Sequence, residues 1–333
     1  MKHINVSLFV PHEGCPHTCS FCNQRTISGK SKKLTKADID SAVSIAIKGE
    51  YDRSNSEIAF FGGSFTAIDK DYMVYLLECA YPYVKDGYFS GIRCSTRPDA
   101  INEDILQTLK RYGVTAIELG AQSMSDKVLE LNERGHTAET VENASRLIKD
   151  FGFELGLQMM TGLYGDDDEA AIMTAKKIIA LKPDTVRIYP TVVLENTRLA
   201  ELYKTGVYTP QSVEQAVDLC SLLLEMFNDA DIKVIRLGLH SGGNVEDGFV
   251  AGAYHPAFRE LCESRIYLNK VIQIIRNNNI SGNAVIYVNP SEISKMTGQK
   301  KSNLLSLAVL GVNAKVKGDE GLSKYGVRLI CEE

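Results

Sequence analysis

Short runs of apolar and β-branched residues alternate with longer amphipathic stretches along most of the chain, at a spacing of roughly 30 residues. This alternation is typical of successive βα units, whose strands lie parallel in one sheet. Six such units predict an α/β fold, an incomplete TIM-type (β/α)6 barrel over residues 1–240. The candidate strands are residues 5–10, 57–61, 91–95, 115–120, 154–160 and 184–189, with helical patterns at 71–81, 141–151 and 169–181.

Glycine and polar residues gather at the ends of these predicted strands. Active sites of parallel barrels lie at the carboxyl ends of the strands. We therefore expect the clusters to lie close together at this end of the barrel, which we call the mouth. They are Gly62, Gly63 and Ser64 after the second strand, Ser95 at the end of the third, Gln122 after the fourth, and Gln158 and Gly162 at the end of the fifth.

Three cysteines, Cys15, Cys19 and Cys22, lie in a loop directly after the first predicted strand. Their C-x3-C-x2-C spacing supplies three thiolates and no obvious fourth, which leaves one iron of a 4Fe-4S cluster open to a ligand that is not protein. The alternative is a zinc site completed by His12 or His17. Structural zinc sites usually pair one cysteine knuckle with a second, and the cysteines elsewhere in the chain do not form one. The spacing therefore favours an iron–sulfur cluster over zinc.

These features together resemble the radical S-adenosylmethionine (SAM) superfamily. The cysteine loop is followed in order by the Gly62-Gly63 pair, by Ser95-Thr-Arg-Pro-Asp99 and by Leu131-Asn-Glu-Arg-Gly-His136. The likeness covers residues ~4 to 240 and points to proteins related to the radical domain of the Elongator catalytic subunit and, more distantly, to oxygen-independent coproporphyrinogen oxidase. It implies an enzyme that cleaves SAM reductively at a 4Fe-4S cluster, using an external one-electron reductant of the flavodoxin or ferredoxin type. The product would be a 5′-deoxyadenosyl radical that abstracts hydrogen from a substrate.

The resemblance also implies a role for each matching residue at the methionine end of SAM. The three cysteines would bind the cluster, and SAM would chelate the open iron. Gly62 and Gly63 would let the backbone approach the methionine amino group, whereas Ser64 stands where many members have Glu or Thr. Arg134 would pair with the SAM carboxylate, and Gln122 would contact the carboxylate region or the ribose.

Other matching residues would surround the adenosine. Ser95 stands where relatives often carry Glu, so an expected carboxylate is missing. Gln158 would face the ribose hydroxyls, and Gly162 would clear space for the adenosine. Phe21, between the second and third cysteines, would pack over the adenine edge.

Residues 241–333 predict a small α+β domain. Two strand-like runs, 283–288 and 326–330, frame a largely helical segment at 290–310. The segment resembles the C-terminal domain of Elongator-like radical proteins, which implies that it caps the barrel and helps to select the substrate.

Composition bears on the cellular location of the protein and on its possible substrates. The sequence has a formal net charge of −5, and neither a run long enough to span a membrane nor a signal-peptide profile stands out. Eight cysteines without a secretory signal indicate a reducing, cytoplasmic location. The Elongator resemblance favours RNA, in particular a tRNA uridine, although the acetyltransferase domain of such proteins is not expected in this chain. A small metabolite, a zinc-stabilised binding protein and a non-catalytic iron–sulfur sensor remain the alternatives.

Overall fold

A computed structural model describes residues 3–10, 15, 18–23, 32–239 and 246–332. The zinc-ligand candidates His12 and His17 therefore lie outside the described residues, as does the predicted domain boundary at 240–241. In the described part of the chain, no helix has the length and apolar character that a membrane span requires.

Seven parallel strands form a curled half-barrel in which neighbours along the chain are neighbours in the sheet, up to the last position. The strands are β1 (Asn5–Val10), β2 (Glu57–Gly62), β3 (Gly91–Thr96), β4 (Val114–Gln122), β5 (Glu154–Thr161), β6 (Thr185–Pro190) and β8 (Lys233–Leu237). The predicted α/β partial barrel is confirmed, and its six predicted strands are all present. The seventh strand, β8, was not predicted, because its run is short and follows a helix after only a brief turn.

Helices cover the outer face of the half-barrel and return the chain to the start of each next strand. Several begin at a side chain that satisfies a free backbone N–H: Asn102 accepts from Ile105, and Asp167 accepts from Ala170. The helices are α1 (Lys36–Ile47), α2 (Lys70–Lys85), α3 (Glu103–Arg111), α4 (Asp126–Leu131), α5 (Ala138–Asp150), α6 (Asp168–Leu181), α7 (Arg198–Lys204) and α8 (Val213–Asp229).

Alternation along the strands separates a hydrophobic outer layer from a polar interior. In β5, Leu155, Leu157 and Met159 are buried in the main hydrophobic core, whereas Gln158 and Met160, which alternate with them, are half-buried. Because successive side chains of a strand point to opposite faces, the half-buried set faces the concave side of the half-barrel. The concave side can therefore carry polar groups without disturbing the core.

The C-terminal part of the chain builds a second core around α9 (Phe258–Asn278). Phe258 and Cys262, near the start of this helix, pack in the main core, and Val271 and Ile275 pack in the second one. The second core also covers one face of a three-stranded sheet of order β11–β10–β12. The elements are β10 (Gly282–Val288), α10 (Ile293–Thr297), α11 (Ser302–Val309), β11 (Val312–Gly318) and β12 (Arg328–Cys331), while β9 (Phe249–Gly252) pairs antiparallel with β7 (Val192–Leu194).

Candidate active site

The cysteine loop is fastened to the segment after α4. Ser20 donates its backbone N–H to the carbonyl oxygen of Asn132 at 3.2 Å and its hydroxyl to the Asn132 side-chain oxygen at 2.7 Å. Cys19 is 5% exposed, whereas Cys15 and Cys22 are half-buried, and all three thiols are free of disulfides. The loop that follows β1 is thereby held against the Leu131–His136 motif.

Arg134 lies between this loop and the end of β4. Its Nη1 donates to the Sγ of Cys19 at 2.9 Å, and its Nη2 donates to the carbonyl oxygen of Gly120 at 2.6 Å. The residue is 6% exposed, and its Nε has no partner among the described residues. The Phe21 ring centroid is 6.0 Å from the guanidinium carbon. Arg134 is thus a buried cation directed at a cysteine sulfur, which excludes a role as a solvated charge at a helix end.

A second buried arginine supports the first. Arg97 donates from Nε and Nη2 to the Asp99 carboxylate at 2.9 and 2.8 Å, and its Nη2 also donates to the carbonyl oxygen of Arg134 at 2.8 Å. Burial raises the pKa of the Cys15 thiol, and neighbouring Cys19 raises it further, while both guanidiniums oppose the rise. Two thiols and two cations therefore share one part of the mouth.

The turn after β2 shows why glycine is needed there. Gly62 has a φ of +103°, and a Cβ at this position would lie 2.3 Å from the carbonyl oxygen of Val10. Gly63 is half-buried beside it. Ser64 is fully buried, and its hydroxyl contacts the Thr96 hydroxyl at 2.8 Å and accepts the Arg97 N–H at 3.0 Å. Ser64 therefore joins the ends of β2 and β3, with its hydroxyl engaged inside the protein.

Gln122 ends β4 next to Arg134. Its φ is +65°, a conformation that residues other than glycine seldom adopt. The Gln122 Nε2 and Arg134 Nη2 atoms lie 2.9 and 3.4 Å from the position that a Cβ on Gly120 would occupy. The buried Gln122 Oε1 accepts no hydrogen bond from the described residues. A buried amide oxygen without a donor fits a polar ligand at this position.

Gln158 and Ser95 meet deeper in the half-barrel. Gln158 Nε2 lies 3.0 Å from the Glu118 carboxylate and 3.4 Å from the Ser95 hydroxyl. Glu118 is 1% exposed and accepts from Arg187 Nη2 at 2.7 Å. Burial lowers the pKa of Arg187, but the Glu118 carboxylate outweighs this effect and raises it above its ordinary value. The Arg187 guanidinium carbon also lies 5.1 Å from the centre of the Phe61 ring.

Sequence reasoning did not predict this charge network. Glu118 and Arg187 sit on strands whose other residues are largely apolar, and Arg93 bridges Glu57 and Glu154 at 2.7 and 2.8 Å. Buried charges are stable only when they are paired. The signal that could have revealed the network is a set of opposite charges at inward-facing positions of successive strands.

Gly162 and Phe21 lie on the same side of the mouth, where both contact the region around Tyr208. Gly162 has a φ of +70°, its N–H donates to Asp166 at 3.0 Å, and its carbonyl accepts the Tyr208 hydroxyl at 2.6 Å. Phe21 packs on the hydrophobic cluster that contains Tyr208 and Leu199. Burial raises the pKa of Asp166 to about 7. This side of the mouth is mostly apolar, as an adenine pocket would be.

The three thiols are suitable ligands for an iron–sulfur cluster, but they are not arranged around a common point. Among the described residues, no three Cys, His, Asp or Glu side chains lie close enough together to hold a metal ion as they stand. Cys15, Cys19 and Cys22 nevertheless share one loop and form no disulfide, and Arg134 already donates to the Cys19 sulfur. The unpartnered Gln122 Oε1 and Arg134 Nε at the same mouth suit a polar ligand beside a cluster.

Comparisons with known proteins match most of this chain to two family models. The family model described as the radical SAM superfamily matches residues 9–178, which is about half of the chain. The model described as a radical SAM C-terminal domain matches residues 183–268. Among solved structures, the archaeal Elp3 of Methanocaldococcus infernus has a TM-score of 0.59 and is 22% identical, covering 80% of this chain and 64% of that one. The structural likeness supports the partial barrel.

Curated relatives match about half of this chain. The tRNA uridine(34) acetyltransferase of Methanocaldococcus jannaschii is 32% identical over 185 residues, covering 50% of this chain and 34% of the relative. The human Elongator complex protein 3 is 31% identical over 190 residues, covering 51% and 35%. The chain therefore spans about a third of the length of these relatives.

Proposed function

Because this chain belongs to the radical SAM superfamily, we propose that it holds a 4Fe-4S cluster and cleaves SAM reductively to a 5′-deoxyadenosyl radical. The observation that carries the proposal is the contact between Arg134 and Cys19, which joins the cysteine loop to the region proposed for SAM. When held by the cysteine loop, such a cluster would provide the one-electron reduction that cleavage of a SAM carbon–sulfur bond needs.

The cysteine loop would hold the cluster through Cys15, Cys19 and Cys22. The thiols must lose their protons to bind iron, and Arg97 and Arg134 stabilise the resulting negative charge. The N–H of Arg134 donates to the Cys19 sulfur, and such hydrogen bonds tune the reduction potential of iron–sulfur clusters. Since the thiols are not grouped beforehand, cluster binding would draw the loop together.

Residues at the mouth would orient SAM. Gly62 and Gly63 would present their backbone to the methionine amino group, and Ser64 next to them joins the ends of β2 and β3. Gln122 and Arg134 would bind the carboxylate end, since a guanidinium donates well to a carboxylate in a dry pocket. Ser95 and Gln158 would meet the ribose, whereas Gly162 and Phe21 would form the adenosine side.

The concave side of the half-barrel would keep the radical away from unintended partners. A primary carbon radical attacks most nearby C–H bonds, so water and loose side chains must be excluded and the target carbon held close. The Glu118–Arg187 pair and Phe61 form a wall whose groups are fixed by one another. These fixed side chains would contact a polar substrate, and none of them would be free to move toward the radical.

We propose RNA, in particular a tRNA uridine, as the substrate class, because relatives of this chain are named for tRNA uridine acetylation. Residues 241–333 would help to select the substrate, and a flavodoxin or ferredoxin would supply the electron. We propose a reducing cytoplasmic setting, in keeping with cysteines that form no disulfide among the described residues. A small metabolite is the other outcome that substrate tests would distinguish.

Anaerobic reconstitution with iron and sulfide tests the cofactor part of the proposal. We expect about four irons per chain and an electron paramagnetic resonance spectrum of the reduced cluster that changes when SAM is added. One tightly held zinc without a SAM-dependent change would instead identify a structural metal site and overturn the proposal.

A further inference from the structure

The C-terminal sheet has one face that the second hydrophobic core does not use. Along β10, Ala284, Ile286 and Val288 pack in that core, whereas Val285 and Tyr287 alternate with them and point to the opposite side. The same alternation along β11 and β12 turns several long side chains to that side. We call this side the outer face. Its accessible side chains are Tyr287, Lys315, Lys317, Arg328 and Ile330, whereas Val285 on the same side is buried, at 4% exposure.

The strand register lines up these side chains in two rows. Tyr287 on the central strand pairs with Lys317 on one neighbour and with Arg328 on the other. The Arg328 guanidinium carbon lies 4.3 Å from the centre of the Tyr287 ring. One row therefore consists of an aromatic ring between two cations, and the next row joins Val285 to Lys315 and Ile330.

The charges on this face are only partly neutralised. Lys315 contacts Glu332 at 3.3 Å and Arg328 contacts Asp319 at 2.6 Å, whereas Lys317 forms no ion pair with any described residue. Residues 258–333 carry 11 Lys and Arg against 7 Asp and Glu, while the rest of the chain carries 26 against 35. Positive charge is thus concentrated in this part of an acidic protein, which favours an anionic partner.

We propose that the outer face binds a single-stranded segment of RNA, with Tyr287 stacking on a base and with Lys315, Lys317 and Arg328 contacting phosphates. Proteins bind single strands by combining aromatic platforms with basic side chains along the backbone, and a sheet face presents both in fixed order. The exposed Ile330 adds an apolar contact for a base. This inference rests on the proposed function, in which RNA is the substrate, and assigns it a contact surface outside the half-barrel.

The test is fluorescence anisotropy of a fluorescein-labelled oligouridylate titrated with the full-length protein, without SAM or reductant. Tyr287→Ala should weaken binding on the order of tenfold, because one stacked base is lost, and Tyr287→Phe should restore it. Lys317→Glu should also weaken binding and lower the slope of log affinity against log salt by about one. Lys48→Glu makes the same charge change at an exposed site that ends α1, and it should leave affinity unchanged.

The inference is overturned if the wild-type chain does not bind the oligouridylate, or if Tyr287→Ala and Lys317→Glu bind as well as it does. Loss of binding only in Lys300→Glu and Lys301→Glu would place the RNA at the loop between α10 and α11 and would also overturn it. Dimerisation that is lost in Lys317→Glu, without RNA binding, would assign the face to a second copy of the chain.

A parallel assay of 5′-deoxyadenosine keeps the two proposals separate. Release of 5′-deoxyadenosine by a chain that does not bind the oligouridylate would overturn the surface assignment alone. Binding that depends on Tyr287, by a chain that does not cleave SAM, would overturn the proposed function alone.

Discussion

Arg134 donates a hydrogen bond to the sulfur of Cys19 at 2.9 Å, although the two residues are 115 positions apart in the sequence. The other end of the same guanidinium is fixed by the carbonyl oxygen of Gly120 at 2.6 Å. The group therefore cannot turn away from the sulfur without losing both contacts. The cysteine loop and the end of β4 behave as one site through this side chain.

Replacing Arg134 with Ala should weaken SAM binding by roughly 10- to 100-fold, since a hydrogen bond from a charged group contributes about 1.5 to 3 kcal/mol. Iron content should stay the same because the three thiolates remain, while the reduction potential of the cluster should fall with the loss of the N–H donor. Equilibrium dialysis under anaerobic conditions measures the first effect and redox titration the second.

Arg198→Ala is a matched control for Arg134→Ala. Arg198 is 57% exposed and pairs with Glu133, one residue away from Arg134 in the sequence. SAM affinity should not change in this variant. Equal losses in both variants, or an Arg134→Ala protein that binds SAM normally, would contradict the role given to Arg134.

Replacing Cys19 with Ala should prevent assembly of an intact cluster while leaving the half-barrel folded. The hydrophobic core does not depend on this thiol, which lies at the mouth, so far-UV circular dichroism should match the wild-type spectrum. Cys331→Ala removes an exposed thiol on β12 and should keep full iron content. SAM cleavage that survives in Cys19→Ala would rule out the cysteine loop as the cluster site.

Replacing Gly62 with Ala should lower the free energy of unfolding by roughly 2 kcal/mol or more, because the new Cβ would meet the Val10 carbonyl oxygen in a left-handed conformation. Gly87→Ala separates the steric contact from the cost of the left-handed conformation. Gly87 also has a positive φ, +74°, but no heavy atom lies within 4 Å of its would-be Cβ. Urea denaturation of both variants should show the larger loss for Gly62→Ala, and equal losses would exclude the close approach of β1 as its cause.

Replacing Asp166 with Asn should stabilise the protein increasingly as the pH rises. Burial raises the pKa of Asp166 to about 7 from its ordinary 3.8, so between these values the folded state holds a proton that the unfolded state has lost. Wild-type stability from this group therefore falls as the pH rises through that window, by about 4 kcal/mol, whereas Asn has no proton to lose. Denaturant titrations at about pH 5 and about pH 8 measure the change, and a constant difference between the variants would contradict it.

Much of the fold follows from local patterns, because each predicted strand is an apolar run closed by glycine or polar residues. The strands that were missed show where such patterns fail. β8 is short, and in β11 the lysines at alternate positions obscure the inward-facing residues, of which Val312 is buried and Ala314 and Val316 are half-buried. A strand with one solvent-facing side carries half as much apolar signal as a buried one.

The site was harder to predict, since its contacts join residues far apart in the sequence. The motifs indicated Arg134 and Gln158, but only the fold brings Arg134 to Cys19 and Gln158 to Ser95. Ser64 was expected at the cofactor, whereas its hydroxyl joins two strand ends. No local pattern distinguishes a serine that faces a cleft from one that faces a neighbouring turn.

If this cysteine loop supports reductive cleavage of SAM, the reduced protein must form 5′-deoxyadenosine from it. The reconstituted protein would be reduced with dithionite in the presence of SAM, and the nucleoside quantified by liquid chromatography. We predict 5′-deoxyadenosine that accumulates with time in the wild-type protein and is absent in Cys19→Ala. A wild-type protein with a full complement of iron that binds SAM and releases no 5′-deoxyadenosine would contradict the claim.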